Sequence, residues 1–210
     1  MERVLLFIKH NLTWLWNVIE SLNEIIFSRM YFPRMNYILG DVLNEAKLSG
    51  FVFRKLIFSD LFLLNKMISN QNINDLKYFQ PHDFDMPSLI KQYKNPAFLM
   101  MGVFDGEKMV GYFFLRFFIN RKCFVGRFID KEYRGKGIGQ TMNYIMYETA
   151  WRMGFRCLAT ISKENHYIIS AHARNPHMII RKHLANNFLL VEFLPLEIVE
   201  NNSSLPKGKL

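Results

Sequence analysis

The sequence predicts a mixed α/β fold, in which a central mixed, mostly antiparallel sheet is flanked by helices and preceded by an N-terminal helical extension. Three apolar runs follow one another between residues 97 and 129, and Asp105-Gly106, a pair typical of tight hairpin turns, joins the first two. A glycine-rich turn then leads into a segment of helical periodicity and another apolar run. Apolar residues spaced three and four apart over residues 2–28 predict the extension.

The helix predicted over residues 2–28 has an apolar stripe that further apolar side chains widen. The stripe consists of Leu5, Ile8, Leu12, Leu15, Ile19, Leu22 and Ile26. Three interpretations stay open: the helix packs on its own domain, forms a homodimer contact through residues 2–28, or makes a peripheral membrane contact. Residues 31–48 form a second predicted helical piece, interrupted by Pro33 and Gly40. Residues 1–50 are therefore assigned to the extension, 51–200 to the main domain and 201–210 to a polar tail.

The main domain is predicted to open with a strand over residues 51–57. A helix follows from Ser59-Asp60 to about residue 68, because a serine and an aspartate there precede an apolar segment. Residues 70–81 are polar and predicted to form a loop with one helical turn, and Met86-Pro87 begins a short helix that ends near residue 93.

Three antiparallel strands are predicted next, over residues 97–104, 108–119 and 123–129. A helix over residues 137–153 separates the third strand from a fourth, 157–161, which we expect to be parallel to the third because a helix intervenes. Residues 165–174 and 176–186 are both predicted helical. Residues 188–193 are predicted to form a late strand.

The composition restricts the class of protein. Half of the 210 residues are apolar, which favours a globular fold, and Lys plus Arg exceed Asp plus Glu by 27 − 18 = 9. A basic chain favours anionic partners, but no nucleic-acid recognition motif is present and no nucleic-acid partner is expected. The two cysteines lack metal-site spacing, and no apolar run approaches the roughly 20 residues that span a bilayer. We expect a cytoplasmic protein.

The most informative stretch runs from Tyr133 to Gln140 and reads YRGKGIGQ. Glycines let the backbone approach a ligand closely, and the start of the following helix presents unpaired N–H groups to an anion. The stretch therefore predicts a phosphate-binding loop. Its spacing does not fit the dinucleotide motif G-x-G-x-x-G or the nucleotide loop G-x-x-x-x-G-K-[ST].

The spacing that fits is R-x-x-G-x-G, formed by Arg134, Gly137 and Gly139 between a strand and a helix. It resembles motif A of the GNAT family of N-acetyltransferases, and the resemblance extends over roughly residues 51–194. The resemblance implies acetyl-CoA as co-substrate. It also implies that the loop binds the pyrophosphate of acetyl-CoA and that the preceding strand pairs with its pantetheine arm.

The reaction that the resemblance implies is attack of a neutral amine on the thioester carbonyl, with CoA leaving as a thiol. Backbone N–H groups of a splayed strand serve the oxyanion, which points to Phe128, Ile129 and Asp130. Arg134 and Lys136 are expected to neutralise the pyrophosphate. The backbone N–H groups expected to bind its oxygens are those of Gly135, Lys136, Gly137, Ile138, Gly139 and Gln140.

The acid that protonates the leaving thiolate is a tyrosine in many GNAT enzymes, seven residues after an asparagine that follows the fifth strand. Asn165 is assigned to that asparagine position as a cofactor-binding residue, although Asn175 competes for it. Counting from Asn165 gives His172, so the chain departs from the pattern there, and Tyr167 is the substitute one helical turn away. The histidine spacings do not stack ligands on one helical face, so no metal is expected.

Two functions remain open on the sequence. The first is an acetyl-CoA-dependent N-acetyltransferase that acts on a primary amine of a small molecule, with an amino sugar, free or nucleotide-linked, favoured over a polyamine. The alternative is a non-catalytic CoA-binding or partner-docking module that keeps the GNAT fold, and the missing tyrosine at position 172 favours it.

Overall fold

The structure is a computed structural model that describes residues 13–165, 177–185 and 187–195. The helices are α1 (Thr13–Met30), α2 (Phe32–Glu45), α3 (Asp60–Ser69), α4 (Ile73–Leu76), α5 (Met86–Lys94) and α6 (Ile138–Arg152). The strands are β1 (Val52–Lys55), β2 (Phe98–Asp105), β3 (Lys108–Phe118), β4 (Lys122–Ile129), β5 (Arg156–Ser162), β6 (Met178–His183) and β7 (Phe188–Phe193). His172, Tyr167 and Asn175 lie outside the described residues, as do residues 1–12, most of the helix predicted over 165–174, and the tail.

The seven strands form one sheet in the order β1-β2-β3-β4-β5-β7-β6. All neighbours are antiparallel except β4 and β5, which are parallel. The Asp105-Gly106 hairpin is confirmed, because Asp105 pairs with Lys108 across the turn. The prediction that the strand after α6 runs parallel to β4 is also confirmed.

Strands β4 and β5 pair over three residues only. Lys122–Phe124 pair with Arg156–Leu158, and both strands continue past that point without pairing to each other. The sheet therefore opens into a V between residues 125–129 and 159–162, which we call the splay. Among the described residues no strand pairs with these parts of β4 and β5 on the sides that face each other, so backbone groups there are available to a ligand.

Two hydrophobic clusters cover the faces of the sheet. On one face α2 and α6 contribute Met35 and Met142, which pack against Phe113. On the other face α3 and α5 contribute Leu64 and Leu89, which pack with Phe114. Consecutive strand residues point to opposite faces, so Val125 joins the first cluster and Phe128 the second.

Helix α1 packs on its own domain over its described second half. Phe27 is fully buried and stacks on Phe117 with ring centroids 5.0 Å apart, and Arg116 donates to Glu20 at 2.6 Å. Val18 and Leu22 point outward and are about half exposed. Within the described residues, no helix has both the length and the apolar character needed to cross a bilayer.

Two predictions of secondary structure are wrong. Helix α2 is continuous, because Pro33 lies in its first turn, where the proline nitrogen needs no hydrogen-bond partner. Residues 176–186 were predicted helical, but Met178–His183 form the strand β6, which pairs with β7. The pairing is long-range: Glu192 of β7 lies between Arg181 and Arg156, a contact that local periodicity does not encode.

Candidate active site

The glycine-rich stretch forms a turn between β4 and α6. Gly135 and Gly137 have φ of +80° and +83°, a left-handed conformation that favours glycine, and Gly137 directly precedes the first residue of α6. The Gly137 carbonyl accepts the N–H groups of Gln140 and Thr141 at 3.0 and 3.2 Å. These two bonds begin the helical pattern, so the N–H groups of Ile138 and Gly139, which precede it, face the turn, where an anion would meet them.

A groove of about 610 Å³ lies along this turn, between the end of β4, the start of α6 and residues 74–79. A smaller cavity of about 100 Å³ continues from it into the splay between β4 and β5. Both cavities are lined by Tyr78, Phe79, Arg127, Asn143 and Asn165. The arrangement suits a ligand with an anionic end at the turn and a narrow arm between the strands.

The two predicted cations of the turn differ in their surroundings. The Arg134 Nε donates to the Ile129 carbonyl at 3.3 Å, and its Nη2 lies 3.0 Å from Asp75 Oδ1. Both Arg134 and Asp75 line the groove. The Lys136 Nζ lies 4.4 Å from the centre of the Tyr133 ring, a cation–π contact at the rim.

The three backbone positions predicted for the oxyanion do not face the same way. The Asp130 N–H donates to Val110 O of β3 at 2.9 Å, so it is taken up by the sheet. Hydrogen-bonded pairs alternate along an antiparallel ladder, which turns the Phe128 N–H toward its β3 partner as well. The Ile129 N–H points away from β3 into the splay. The same alternation directs the Arg127 N–H into the splay, a position that the sequence did not predict.

Six residues that line the groove were not predicted from the sequence: Asn74, Asp75, Tyr78, Phe79, Arg127 and Asn143. Arg127 carried the clearest signal, because it interrupts an otherwise apolar strand face. The other five lie on α4, directly after it, or on α6, and their orientation toward the turn depends on how these helices pack. Asn165 was predicted, and it lies where the groove meets the splay.

Two further features of the described residues bear on the chemistry. They contain no group of three or more histidine, cysteine, aspartate or glutamate side chains arranged to hold a metal ion. Cys123 and Cys157 are free thiols, and burial raises the pKa of each well above its usual value. Thiols kept in the protonated form are poor nucleophiles, so they contribute packing instead.

A model of the acetyltransferase (GNAT) family matches residues 67–175, which include the groove, the splay and α6. The chain belongs to the GNAT family. This GNAT protein is accordingly an N-acetyltransferase, and acetyl-CoA is its co-substrate. No curated protein sequence matches the chain closely enough to report as a relative.

Solved structures of GNAT proteins share the fold. PaiA N-acetyltransferase from Thermoplasma acidophilum in complex with coenzyme A is 17% identical, with a TM-score of 0.57, over 69% of this chain and 99% of that one. Ribosomal-protein-S5-alanine acetyltransferase from Vibrio fischeri is 18% identical, with a TM-score of 0.56, over 70% and 94% of the two chains. The yncA protein from Salmonella typhimurium with its cofactor acetyl-CoA is 15% identical, with a TM-score of 0.52, over 69% and 92%.

Proposed function

We propose that this GNAT protein transfers the acetyl group of acetyl-CoA to a primary amine of a small molecule, by direct attack of the amine on the thioester. The observation that carries the proposal is the continuity of the groove at the glycine turn with the cavity in the splay. A pyrophosphate on the turn then places the thioester at the far end of the pantetheine arm, between β4 and β5.

In this proposal the pyrophosphate is bound by the backbone N–H groups from Gly135 to Gly139 and by Arg134, with Lys136 at the rim. The Gln140 N–H, also predicted from the sequence, already donates to the Gly137 carbonyl within α6. Asn165 lies beside the arm. The Ile129 and Arg127 N–H groups point into the splay and are the donors proposed for the arm and for the oxyanion of the thioester carbonyl.

The acid proposed for the leaving thiolate is His172, with Tyr167 as the alternative. Tyr78 is a third candidate, because its side chain lines both cavities at their junction. In each case the side chain supplies the proton that CoA needs to leave as a thiol. Replacing His172 by Ala, Tyr167 by Phe and Tyr78 by Phe separately identifies the acid, since its loss lowers kcat more than it raises KM.

The acceptor proposed is an amino sugar, free or nucleotide-linked. Glu164, the carboxylate next to Asn165, is paired with Lys77 at 3.4 Å. A carboxylate that is already paired with a cation contributes little to the binding of a polyamine. An uncharged or anionic acceptor does not need a carboxylate for its binding.

The test is thiol release from acetyl-CoA across a panel of amines. The panel contains amino sugars, nucleotide-linked amino sugars, polyamines and a peptide with N-terminal alanine. The peptide is included because the Vibrio fischeri protein is named a ribosomal-protein-S5-alanine acetyltransferase. Turnover with an amino sugar and not with the polyamine or peptide supports the proposal. Turnover with the peptide alone refutes the small-molecule acceptor, and CoA binding without turnover on any amine favours the docking module.

A further inference from the structure

Arg127 places a cation on a strand face that is otherwise apolar. On the same face of β4, Cys123 and Val125 are buried in the core, and Ile129 packs against that core. A charged side chain at a core-facing position costs free energy unless an opposite charge or hydrogen bonds compensate for it. Packing alone therefore does not explain an arginine at this position.

The guanidinium of Arg127 lies against the first turn of α6. A Cβ built on Gly139 would be 2.9 Å from Arg127 Nη1, so the helix approaches the guanidinium as closely as a glycine permits. Arg127 Nε donates to Asn143 Oδ1 at 2.7 Å, one turn further along α6. This hydrogen bond fixes the plane of the guanidinium.

The electrostatics of this location favour an anion between Arg127 and the helix. The N-terminal end of a helix carries partial positive charge, and the first turn of α6 contains no acidic residue. A cation at that end is repelled by the helix dipole. A phosphate oxygen between them would be attracted both to the guanidinium and to the N-terminal end of the helix.

Arg127 also lies where an anionic ligand would pass. Its side chain lines both the groove and the splay cavity. It approaches from β4, at the floor of the groove, whereas Arg134 approaches from the turn. Two arginines on different elements can therefore reach the same ligand from different directions.

We propose that Arg127 is a phosphate-binding residue of the acetyl-CoA site and that Asn143 is its positioning residue. The guanidinium binds the pyrophosphate of CoA from the strand side while the N–H groups of α6 bind it from the helix side. This inference rests on the proposed placement of CoA on the glycine turn.

The experiment is isothermal titration of the full chain with CoA, 4′-phosphopantetheine and pantetheine. In Arg127→Gln the dissociation constant for CoA is expected to rise roughly ten- to a hundredfold, the usual effect of losing a charged hydrogen bond. The constant for pantetheine, which has no phosphate and meets Arg127 only along the splay cavity, is expected to rise far less. Arg127→Lys keeps the positive charge but lacks the planar guanidinium with its paired N–H donors, so an intermediate loss of CoA affinity is expected.

Three further variants distinguish a phosphate contact of Arg127 from a general effect of charge and from a wrong placement of CoA. Arg116→Gln removes the same charge from β3, where Arg116 pairs with Glu20, and is expected to leave all three titrations unchanged. Asn143→Ala is expected to weaken CoA binding several-fold, with a much smaller loss for pantetheine and an unchanged unfolding temperature. An unchanged CoA affinity in Arg127→Gln overturns the inference. Equal losses of affinity for CoA and for pantetheine, in both Arg127→Gln and Arg127→Lys, also overturn it. If Gly137→Asp leaves CoA binding intact, the placement on the turn fails instead.

Discussion

Gly139 is the residue whose substitution tests the closeness of α6 to Arg127. A Cβ at Gly139 would meet Arg127 Nη1 at 2.9 Å and Ile129 Cδ1 at 3.3 Å, both at the ends of side chains that can shift. We expect Gly139→Ala to keep the fold and to weaken CoA binding several-fold, because the guanidinium is displaced. Gly40→Ala is the matched control, since Gly40 lies in α2 with open space around it. Equal CoA affinity in the two variants would contradict this expectation.

His82 gives the stability of the protein a pH dependence. Its Nδ1 is 2.7 Å from the Asp83 carbonyl, which only accepts, so Nδ1 carries the proton and Nε2 accepts the Tyr112 hydroxyl at 3.0 Å. Burial lowers the pKa of His82 below its ordinary value of about 6.5. As the pH falls below about 6.5, the unfolded chain therefore takes up this proton before the folded chain does, and stability decreases until the folded pKa is passed.

Thermal unfolding of wild type and His82→Gln between pH 8 and pH 5 checks this prediction. Glutamine keeps a donor and an acceptor but does not titrate, so the variant is expected to lose less stability than wild type on acidification. Parallel pH profiles for the two proteins would show that His82 does not contribute.

At the scale of elements, α4 and the residues after it cover the groove. Asp75 at the C-terminal half of α4 pairs with Arg134, and Phe79 packs on Phe128 with ring centroids 5.6 Å apart. A pyrophosphate that binds Arg134 competes with Asp75 for the guanidinium. We therefore expect Asp75→Asn to lower the dissociation constant for CoA three- to tenfold, a change of roughly 0.7–1.4 kcal/mol. Glu148→Gln makes the same change of charge near the far end of α6, and a matching gain there would attribute the effect to net charge alone.

The elements that the sequence predicted correctly are those defined by local chemistry. Asp105-Gly106 specifies the turn of the β2–β3 hairpin, and Gly135 and Gly137 specify a turn that requires positive φ. The strand β6 was missed because its pairing with β7 is long-range and its apolar run is too short for helix and strand periodicities to be told apart. The participation of Arg127 in the site depends on which face of β4 it occupies and on how closely α6 approaches, and neither is readable from spacing.

At the scale of the whole molecule, the extension is joined to the domain that carries the site. The carbonyl of Phe117 accepts Asn23 Nδ2 at 3.0 Å, and Glu24 accepts Asn95 Nδ2 at 2.8 Å, so α1 is tied to β3 and to the end of α5. Local periodicity predicted a helix here but did not decide which surface would cover it. The homodimer and membrane contacts, left open as alternatives for residues 2–28, would use the outward-facing side chains of α1, among them Leu22 and Ile25, which are about half exposed.

Phe27 and Leu22 separate the inward from the outward role of α1. Phe27 is fully buried against Phe117 and Phe155, whereas Leu22 is 52% exposed. Urea denaturation is expected to show that Phe27→Ala lowers the free energy of unfolding by about 3–5 kcal/mol, the usual cost of emptying an aromatic site in a core. Leu22→Ala is expected to change it by less than about 1 kcal/mol at a protein concentration where the chain is monomeric. An equal loss of stability in the two alanine variants would contradict the division of α1 into two faces. Sedimentation of Leu22→Asp beside wild type tests the homodimer, because a charge in a dimer contact shifts the chain to monomer.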